Sequence, residues 1–253
     1  MKIIISPAKK MQVDADSFLP QSQPEFITEA SELLAFLKTR TKDELTAIWQ
    51  ASPKIVDSAL QQLDALDLNQ AQTPAIMAFT GIQYQYMAPD VLPQAALDYL
   101  QDHLRILSGL YGSLRPFDAI SPYRLELQSK LTGFKYYSLY DYWQDKVYQS
   151  LYADDDVVVN LASSEYSRLL KPFVKKNQRL VDIVFQENKH GKWRTAATHA
   201  KMSRGDMVRF MAQRDITDAD VLQHFNDFGY KFCPAASRPD KFVFRTDYDF
   251  KRK

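Results

Sequence analysis

Polar residues suited to chemistry occur in short segments that follow predicted strands. Lys9 comes directly after an apolar strand that Ser6-Pro7 ends. A lysine there can face a cleft and hold a phosphate as a point charge, or it can be a loop lysine in solvent. Arg124 and Glu126 are two residues apart, so on a strand they share a face. They can form a buried ion pair, or Glu126 can orient Arg124 toward a ligand.

Two later segments combine charge with helix geometry. Asn160 lies near the end of a β-branched run, and residues 163–165 then open a helix, which is typical of an anion site at a helix N-terminus. The simpler explanation is a helix cap in which Glu165 favours the helix dipole. Lys201 and Arg204 are three residues apart and share a helical face, where two cations repel unless an anion lies between them. This spacing favours a phosphate or carboxylate partner.

The segment 104–118 contains two of the seven glycines, Gly109 and Gly112. An apolar turn with small residues between two short elements resembles a helix-hairpin-helix, which presents backbone N–H groups to a phosphate. The usual hairpin has one residue between its glycines, whereas two intervene here. Arg105 and Arg115 flank the turn and could add contacts to a nucleic-acid backbone. A tight structural turn is an equally good explanation.

Other kinds of site find little support. The four histidines are scattered, Cys233 is the only cysteine, and there is no Gly-x-Ser-x-Gly or Gly-x-x-x-x-Gly-Lys pattern. We therefore predict no metal site and no cofactor. A chain with one cysteine and no apolar run approaching about 20 residues is expected to be cytoplasmic and not to span a membrane.

Apolar runs and cap signals predict how these segments are positioned. Buried strands are predicted at 3–5, 74–79, 157–161 and 241–246, and helices fill most of 21–70, 89–104, 138–152 and 201–213. The uninterrupted run at 157–161 indicates a sheet that is covered on both faces. With no linker or repeat visible, residues 1–253 are expected to form one α+β domain with a central mixed sheet flanked by helices.

Charge is segregated along the chain, although the net charge of the 253 residues is only +1. Thirteen acidic and four basic residues fall in 14–103, whereas twelve basic and three acidic residues fall in 168–214. A further basic cluster occupies 251–253. Such asymmetry favours an anionic partner for the basic part, or it reflects a mixed-charge surface that happens to segregate.

Taken together, these segments resemble the YaaA family of bacterial peroxide-stress resistance proteins. The matching segments, in family order over about 200 residues, are Ile4-Ile-Ser-Pro-Ala-Lys9, Leu104-Arg-Ile-Leu-Ser-Gly-Leu-Tyr-Gly-Ser-Leu-Arg-Pro116, Pro122-Tyr-Arg-Leu-Glu126, Asn160-Leu-Ala-Ser-Ser-Glu-Tyr166 and Lys201-Met-Ser-Arg-Gly205. Relatives carry an aspartate in a Phe-x-Gly-Asp-Val-Tyr segment, and this chain lacks it at Phe79-Thr-Gly-Ile-Gln-Tyr84. The resemblance implies a cytoplasmic protein that keeps free iron low under peroxide stress. It also implies a family-specific α/β fold and binding of duplex or distorted DNA through a basic cleft that contains a helix-hairpin-helix-like element.

Two functions follow as hypotheses. The first is sequence-nonspecific DNA binding, in which Lys9, Arg105, Arg115, Arg124, Lys201 and Arg204 neutralise phosphates beside the turn at Gly109 and Gly112. The second is an enzyme for a phosphorylated small molecule, with Glu126 or Glu165 as acid or base and the cations holding the phosphate. The second hypothesis requires Lys9, Arg124, Glu126, Asn160, Glu165, Lys201 and Arg204 to converge in one cleft. Direct iron sequestration by the acidic turn at 154–156 is a weaker third possibility.

Overall fold

The computed structural model describes residues 1–14 and 16–250, so the basic cluster predicted at 251–253 lies outside the described residues. The fold is a mixed α/β arrangement in which helices cover a mixed sheet. The strands are β1 (Lys2–Ile5), β2 (Lys10–Met11), β3 (Thr73–Pro74), β4 (Phe79–Thr80), β5 (Leu104–Ser108), β6 (Gly112–Leu114), β7 (Ala119–Ile120), β8 (Val157–Leu161), β9 (Arg179–Lys189), β10 (Lys192–Arg194), β11 (Lys231–Phe232) and β12 (Lys241–Thr246).

Eight of the described strands form one sheet, in the order β11-β12-β9-β8-β1-β5-β6, with β10 paired to β9. The central pairs β12–β9, β9–β8, β8–β1 and β1–β5 are parallel, and the two ends are closed by antiparallel pairs. Ile3, Ile4 and Ile5 of β1 are fully buried, and so are Val158 and Val159 of β8. The prediction of a central sheet covered on both faces is confirmed, because such β-branched runs suit strands without a solvent face.

The helices are α1 (Ile27–Lys38), α2 (Lys42–Trp49), α3 (Pro53–Ala65), α4 (Ala75–Ala78), α5 (Ile82–Met87), α6 (Gln94–His103), α7 (Leu139–Trp143), α8 (Lys146–Leu151), α9 (Ser164–Ser167) and α10 (Ala197–Gln213). Short 3-10 turns occupy Leu68–Gln70, Pro89–Val91, Ala219–His224, Asp227–Gly229 and Pro234–Ala236. Thr41 and Glu44 form a reciprocal capping box at the start of α2, and Pro53 is the first residue of α3. The capping box pairs free N–H groups of the first turn, and proline at a first helical position lacks an N–H that would otherwise have no partner.

Two predicted elements were wrong. The apolar run 74–79 is not a strand, because Ala75–Ala78 form the short helix α4 between two-residue strands. The helix predicted over 138–152 is broken into α7 and α8 at Gln144, whose φ is +44°. A short apolar run does not distinguish a buried strand from a buried helix by its periodicity, and a left-handed glutamine gives no sequence signal.

The strand order reverses direction beside β1. The chain passes from β1 to β5 on one side and then crosses to β8 on the other side of β1. In parallel sheets such a reversal opens a crevice beyond the carboxyl ends of the two strands, and ligands bind there. Among the described helices, none is both long and apolar enough to cross a lipid bilayer.

Candidate functional site

A cavity of about 460 Å³ lies beyond the carboxyl ends of β1 and β8. The two strand ends are tied together there, because the Ser163 backbone N–H donates to Ser6 Oγ at 2.8 Å. The Tyr84 hydroxyl donates to the Ser6 carbonyl at 3.0 Å and fixes α5 to the same strand end. The topology therefore places the cavity, and these hydrogen bonds fix its floor.

The cavity brings together residues from five distant segments of the chain. Six of its lining residues are candidates from the sequence, namely Lys9, Arg124, Glu126, Glu165, Lys201 and Arg204. Asn160 does not join them, because its Nδ2 donates to Asp182 at 2.6 Å and its Oδ1 accepts from the Ala162 N–H. The convergence that an enzyme would need is present, except for Asn160.

Glu126 connects two of the cations. Its carboxylate accepts from Lys9 Nζ at 2.7 Å and from Arg124 Nη2 at 3.2 Å. Arg124 and Glu126 are each 15% exposed, whereas Lys9 is 68% exposed and forms the outer member of the group. Glu126 therefore neutralises part of the positive charge on one wall and fixes the direction of Arg124.

Two further lining cations, Lys201 and Arg204, lie on α10. Neither forms a direct ion pair with a carboxylate of the described residues, although the charge of Asp182 acts on Arg204 from a longer distance. Burial lowers the pKa of Arg204, and the charge of Asp182 opposes that shift. Arg204 Nε, Arg124 Nε and Gln83 Nε2 are buried without hydrogen-bond partners. Unsatisfied buried donors are rare and costly, so these three groups suit a ligand rich in hydrogen-bond acceptors.

Glu165 is the acidic group with the most unusual environment in the cavity. Burial is the main cause that raises its pKa, and the nearby charge of Glu126 adds to it. The Gln128 N–H donates to Glu165 Oε1 at 3.4 Å and, together with the charge of Lys9, opposes the shift. A half-buried carboxyl with a raised pKa can exchange a proton nearer neutral pH than an exposed one.

Gly205 explains how α10 comes so close to α5. A Cβ at this position would lie 2.0 Å from the carbonyl oxygen of Gln83 and 3.0 Å from the backbone N of Met87. The two helices can touch backbone to backbone only because residue 205 has no side chain. This contact places Gln83 of α5 beside Arg204 of α10. Gln83, Tyr84 and Tyr166 also line the cavity but are not among the candidates from the sequence. A glycine inside a helix indicates close packing, but it does not show which residue lies against it.

The predicted helix-hairpin-helix-like element is not confirmed. Gly109 and Gly112 lie at the turn of the antiparallel β5–β6 hairpin, outside the cavity lining. A Cβ on Gly109 would meet the Leu125 carbonyl oxygen at 2.3 Å, and one on Gly112 would meet the Trp143 ring at 2.7 Å. Both glycines therefore permit close packing of this hairpin, and the segment does not present N–H groups at the start of a second helix.

Arg105 and Arg115 also lie away from the cavity. Arg105 Nη1 donates to the backbone carbonyls of Gln101 and Leu104, at 3.1 and 2.8 Å. Arg115 pairs with the buried Asp118 at 3.4 Å. Both guanidinium groups already have acceptors within the protein.

The basic stretch 168–214 is less free than its net charge indicates. Three of its cations form ion pairs and two lie over aromatic rings; these are Lys171, Arg179, Lys189, Arg168 and Arg214. Lys201 and Arg204 differ from them because they face the cavity. No three His, Cys, Asp or Glu side chains of the described residues are arranged to hold a metal ion.

Comparison with known proteins identifies the family. Residues 1–236 match the family described as "Peroxide stress protein YaaA". The chain belongs to the YaaA family. Among curated relatives, a "UPF0246 protein" of Lactobacillus delbrueckii subsp. bulgaricus is 59% identical over 247 residues, covering 97% of this chain and 99% of the relative. A "UPF0246 protein" of Lactobacillus johnsonii is 57% identical over 245 residues, covering 97% of both chains. A "UPF0246 protein" of Agathobacter rectalis is 43% identical over 244 residues, covering 96% of this chain and 98% of the relative.

The family description assigns this YaaA-family protein to the peroxide stress response. The resemblance read from the sequence is confirmed over nearly the whole chain. The description names a physiological role, whereas the chemistry of the cavity depends on the residues that line it.

Proposed function

We propose that this YaaA-family protein acts in the peroxide stress response by binding DNA through backbone phosphates at the mouth of the cavity. The observation that carries the proposal is the pair of Lys201 and Arg204, two cations of α10 that line the cavity and form no direct ion pair with a described residue. Phosphate contacts of this kind position a protein on DNA without reading its sequence. Bound DNA would then be shielded from the radicals that free iron and peroxide generate.

Salt dependence tests the proposal. Fluorescence anisotropy with duplex, bulged and junction DNA at several salt concentrations measures the binding constant. A plot of its logarithm against the logarithm of salt concentration should have a slope of about −0.9 for each phosphate contacted. Lys201→Ala plus Arg204→Ala should weaken binding to all three DNAs and make the slope about 1.8 units shallower, because two contacts are lost.

A matched control separates the cavity from diffuse charge. Lys175 and Lys176 lie in the same basic stretch, are exposed and do not line the cavity. Lys175→Ala plus Lys176→Ala should leave the slope nearly unchanged. Equal losses in the two double variants would show that charge alone binds the DNA, and no loss in the cavity variant would place the DNA elsewhere.

Protection of DNA is measured separately. Supercoiled plasmid exposed to ferrous iron and peroxide should be nicked more slowly with the wild-type protein than with the Lys201→Ala plus Arg204→Ala variant. Equal nicking rates would contradict shielding by bound protein, even where the anisotropy shows binding.

The second candidate function is an enzyme acting on a phosphorylated small molecule. Glu165 favours it, since a half-buried carboxyl with a raised pKa, in a cavity lined by four cations, suits general acid–base chemistry. A thermal-shift screen of phosphorylated metabolites, followed by turnover assays with the wild type and Glu165→Gln, tests this function. Absence of any stabilising metabolite would leave DNA binding as the function of the site.

A further inference from the structure

The cavity is the wrong size for a duplex and a suitable size for a small molecule. Its 460 Å³ equals the volume of a sphere about 10 Å across, whereas a duplex is wider than its major groove, which alone measures about 12 Å. Small-molecule sites occupy roughly 300–1,000 Å³. A duplex held by Lys201 and Arg204 would therefore leave the interior of the cavity empty, unless one nucleotide of a strand enters it.

The interior combines apolar side chains with a buried amide. Met11, Ile82 and Tyr166 are among the lining side chains. Gln83 is 6% exposed, and its Nε2 is buried without a hydrogen-bond partner. A side-chain amide offers a donor beside an acceptor, which matches the edge of a nucleobase. Apolar walls suit the faces of a base better than a sugar or a bare phosphate, both of which need polar groups on all sides.

The cations lie where the phosphate of such a unit would be. Lys201 and Lys9 are exposed, whereas Arg204 and Arg124 are half-buried, so positive charge is present both at the surface and deeper in the cavity. Arg124 Nε and Arg204 Nε also lack partners. A base inside and a phosphate at the cations together make one nucleotide.

We infer that the cavity holds a single nucleotide, with its base against Gln83 and its phosphate between Arg204 and Arg124. The nucleotide is either an unpaired one that has left the stack of a DNA strand or a free mononucleotide. The first of these alternatives rests on the proposed function. Proteins that receive an extruded nucleotide commonly read its base by hydrogen bonds inside a closed pocket.

The experiment compares ligands with and without a base. The first arm uses three duplexes of one length: fully paired, with one unpaired thymidine, and with one unpaired abasic analogue. The second arm uses a nucleoside 5′-monophosphate and ribose 5-phosphate in isothermal titration. The base-bearing ligand should bind about tenfold tighter than its base-free counterpart in at least one arm, because a base adds stacking and a hydrogen bond.

Gln83→Leu removes the unpartnered donor at similar volume, so it is expected to fold and to lose most of the preference for a base. The matched control is Gln85→Leu, since Gln85 is on the same helix and exposed. Ile82→Trp fills the cavity from a half-buried wall and should give the same loss without changing Gln83. The fully paired duplex should bind all three variants as it binds the wild type.

The outcomes separate this inference from the proposed function. Equal binding of base-bearing and base-free ligands in both arms would overturn the nucleotide pocket, while duplex binding would stand. A preference for the unpaired thymidine supports an extruded nucleotide. A preference confined to the free monophosphate, with no DNA bound at low salt, supports the pocket and overturns the DNA proposal.

Discussion

Replacing Gly205 by alanine should separate the two helices that form one side of the cavity. The new Cβ would lie 2.0 Å from the carbonyl oxygen of Gln83, which is 1.4 Å short of the 3.4 Å at which ordinary contact begins. Both atoms belong to helix backbones or sit directly on one, so no side-chain rotation relieves the overlap, and α5 and α10 must move apart. Overpacking typically costs about 1–3 kcal/mol, and an overlap that no side-chain rotation relieves falls at the upper end, about 3 kcal/mol. The higher helix propensity of alanine returns about 1 kcal/mol.

We therefore expect Gly205→Ala to lower the free energy of unfolding by about 2 kcal/mol, equal to about 4–8 °C in Tm for a chain of this size. Thermal and urea unfolding measure this. The same variant should weaken DNA binding, since Lys201 and Arg204 move with α10 relative to the cations Lys9 and Arg124. Gly191→Ala is the control for the loss of a glycine: its φ of +77° gives strain, but a Cβ there has no atom within 4 Å. A Gly205→Ala protein as stable as the wild type would refute the backbone contact between the helices.

Four further changes have defined outcomes. Glu126→Gln frees two cations and should tighten DNA binding roughly three- to tenfold at low salt and less at high salt, as titrations at both would show. The pKa of Glu165 is raised above 4.5 by burial, so the folded protein binds that proton more tightly than the unfolded chain, and wild-type stability should fall as pH rises above about 4.5. Urea unfolding at a series of pH values should show a smaller loss of stability with rising pH in Glu165→Gln than in the wild type. The same loss in both proteins would contradict the role of Glu165. Burial, followed by the charge of Asp227, raises the pKa of Asp206 from 3.8 to about 7, so the free energy of unfolding should also fall between pH 3.8 and pH 7. Asp227→Asn should flatten the pH dependence of stability near pH 7, whereas Glu165→Gln should not. Gly112→Ala should cost about 2–4 kcal/mol in urea unfolding, because the Trp143 ring lies 2.7 Å from the new Cβ and φ is +68°.

The sequence predicts the elements whose signals are local. The β-branched runs of β1 and β8 form strands where they were predicted. The capping box of α2 and the proline that begins α3 are local signals of the same kind. The pairing of those elements is not local, because nothing in the run Ile3–Ile5 states that β8 lies on one side and β5 on the other. The helix α4 was missed for a related reason, since four buried apolar residues fit either backbone conformation.

The candidate residues of the cavity could be found from residue type and spacing, but their roles could not. Lys201 and Arg204 share a helical face, as their spacing predicts. That Glu126 already neutralises Lys9, and that Arg115 is already paired, depends on contacts between distant segments. Gln83 was missed because a buried amide without a partner has no sequence signature. The sequence left the turn at Gly109 and Gly112 open between a helix-hairpin-helix and a tight structural turn, because small residues permit close packing as readily as phosphate contacts.

The central position of β1 has a consequence for synthesis on the ribosome. Its neighbours β5 and β8 begin 102 and 155 residues later in the chain. At about 5–20 residues per second, β5 is made roughly 5–20 s after β1, and β8 roughly 8–30 s after it. During that interval the run Ile3–Ile5 has no strand to pair with and can associate with other nascent chains. We expect efficient folding in the cell to depend on a chaperone that covers this segment until β8 has left the ribosome.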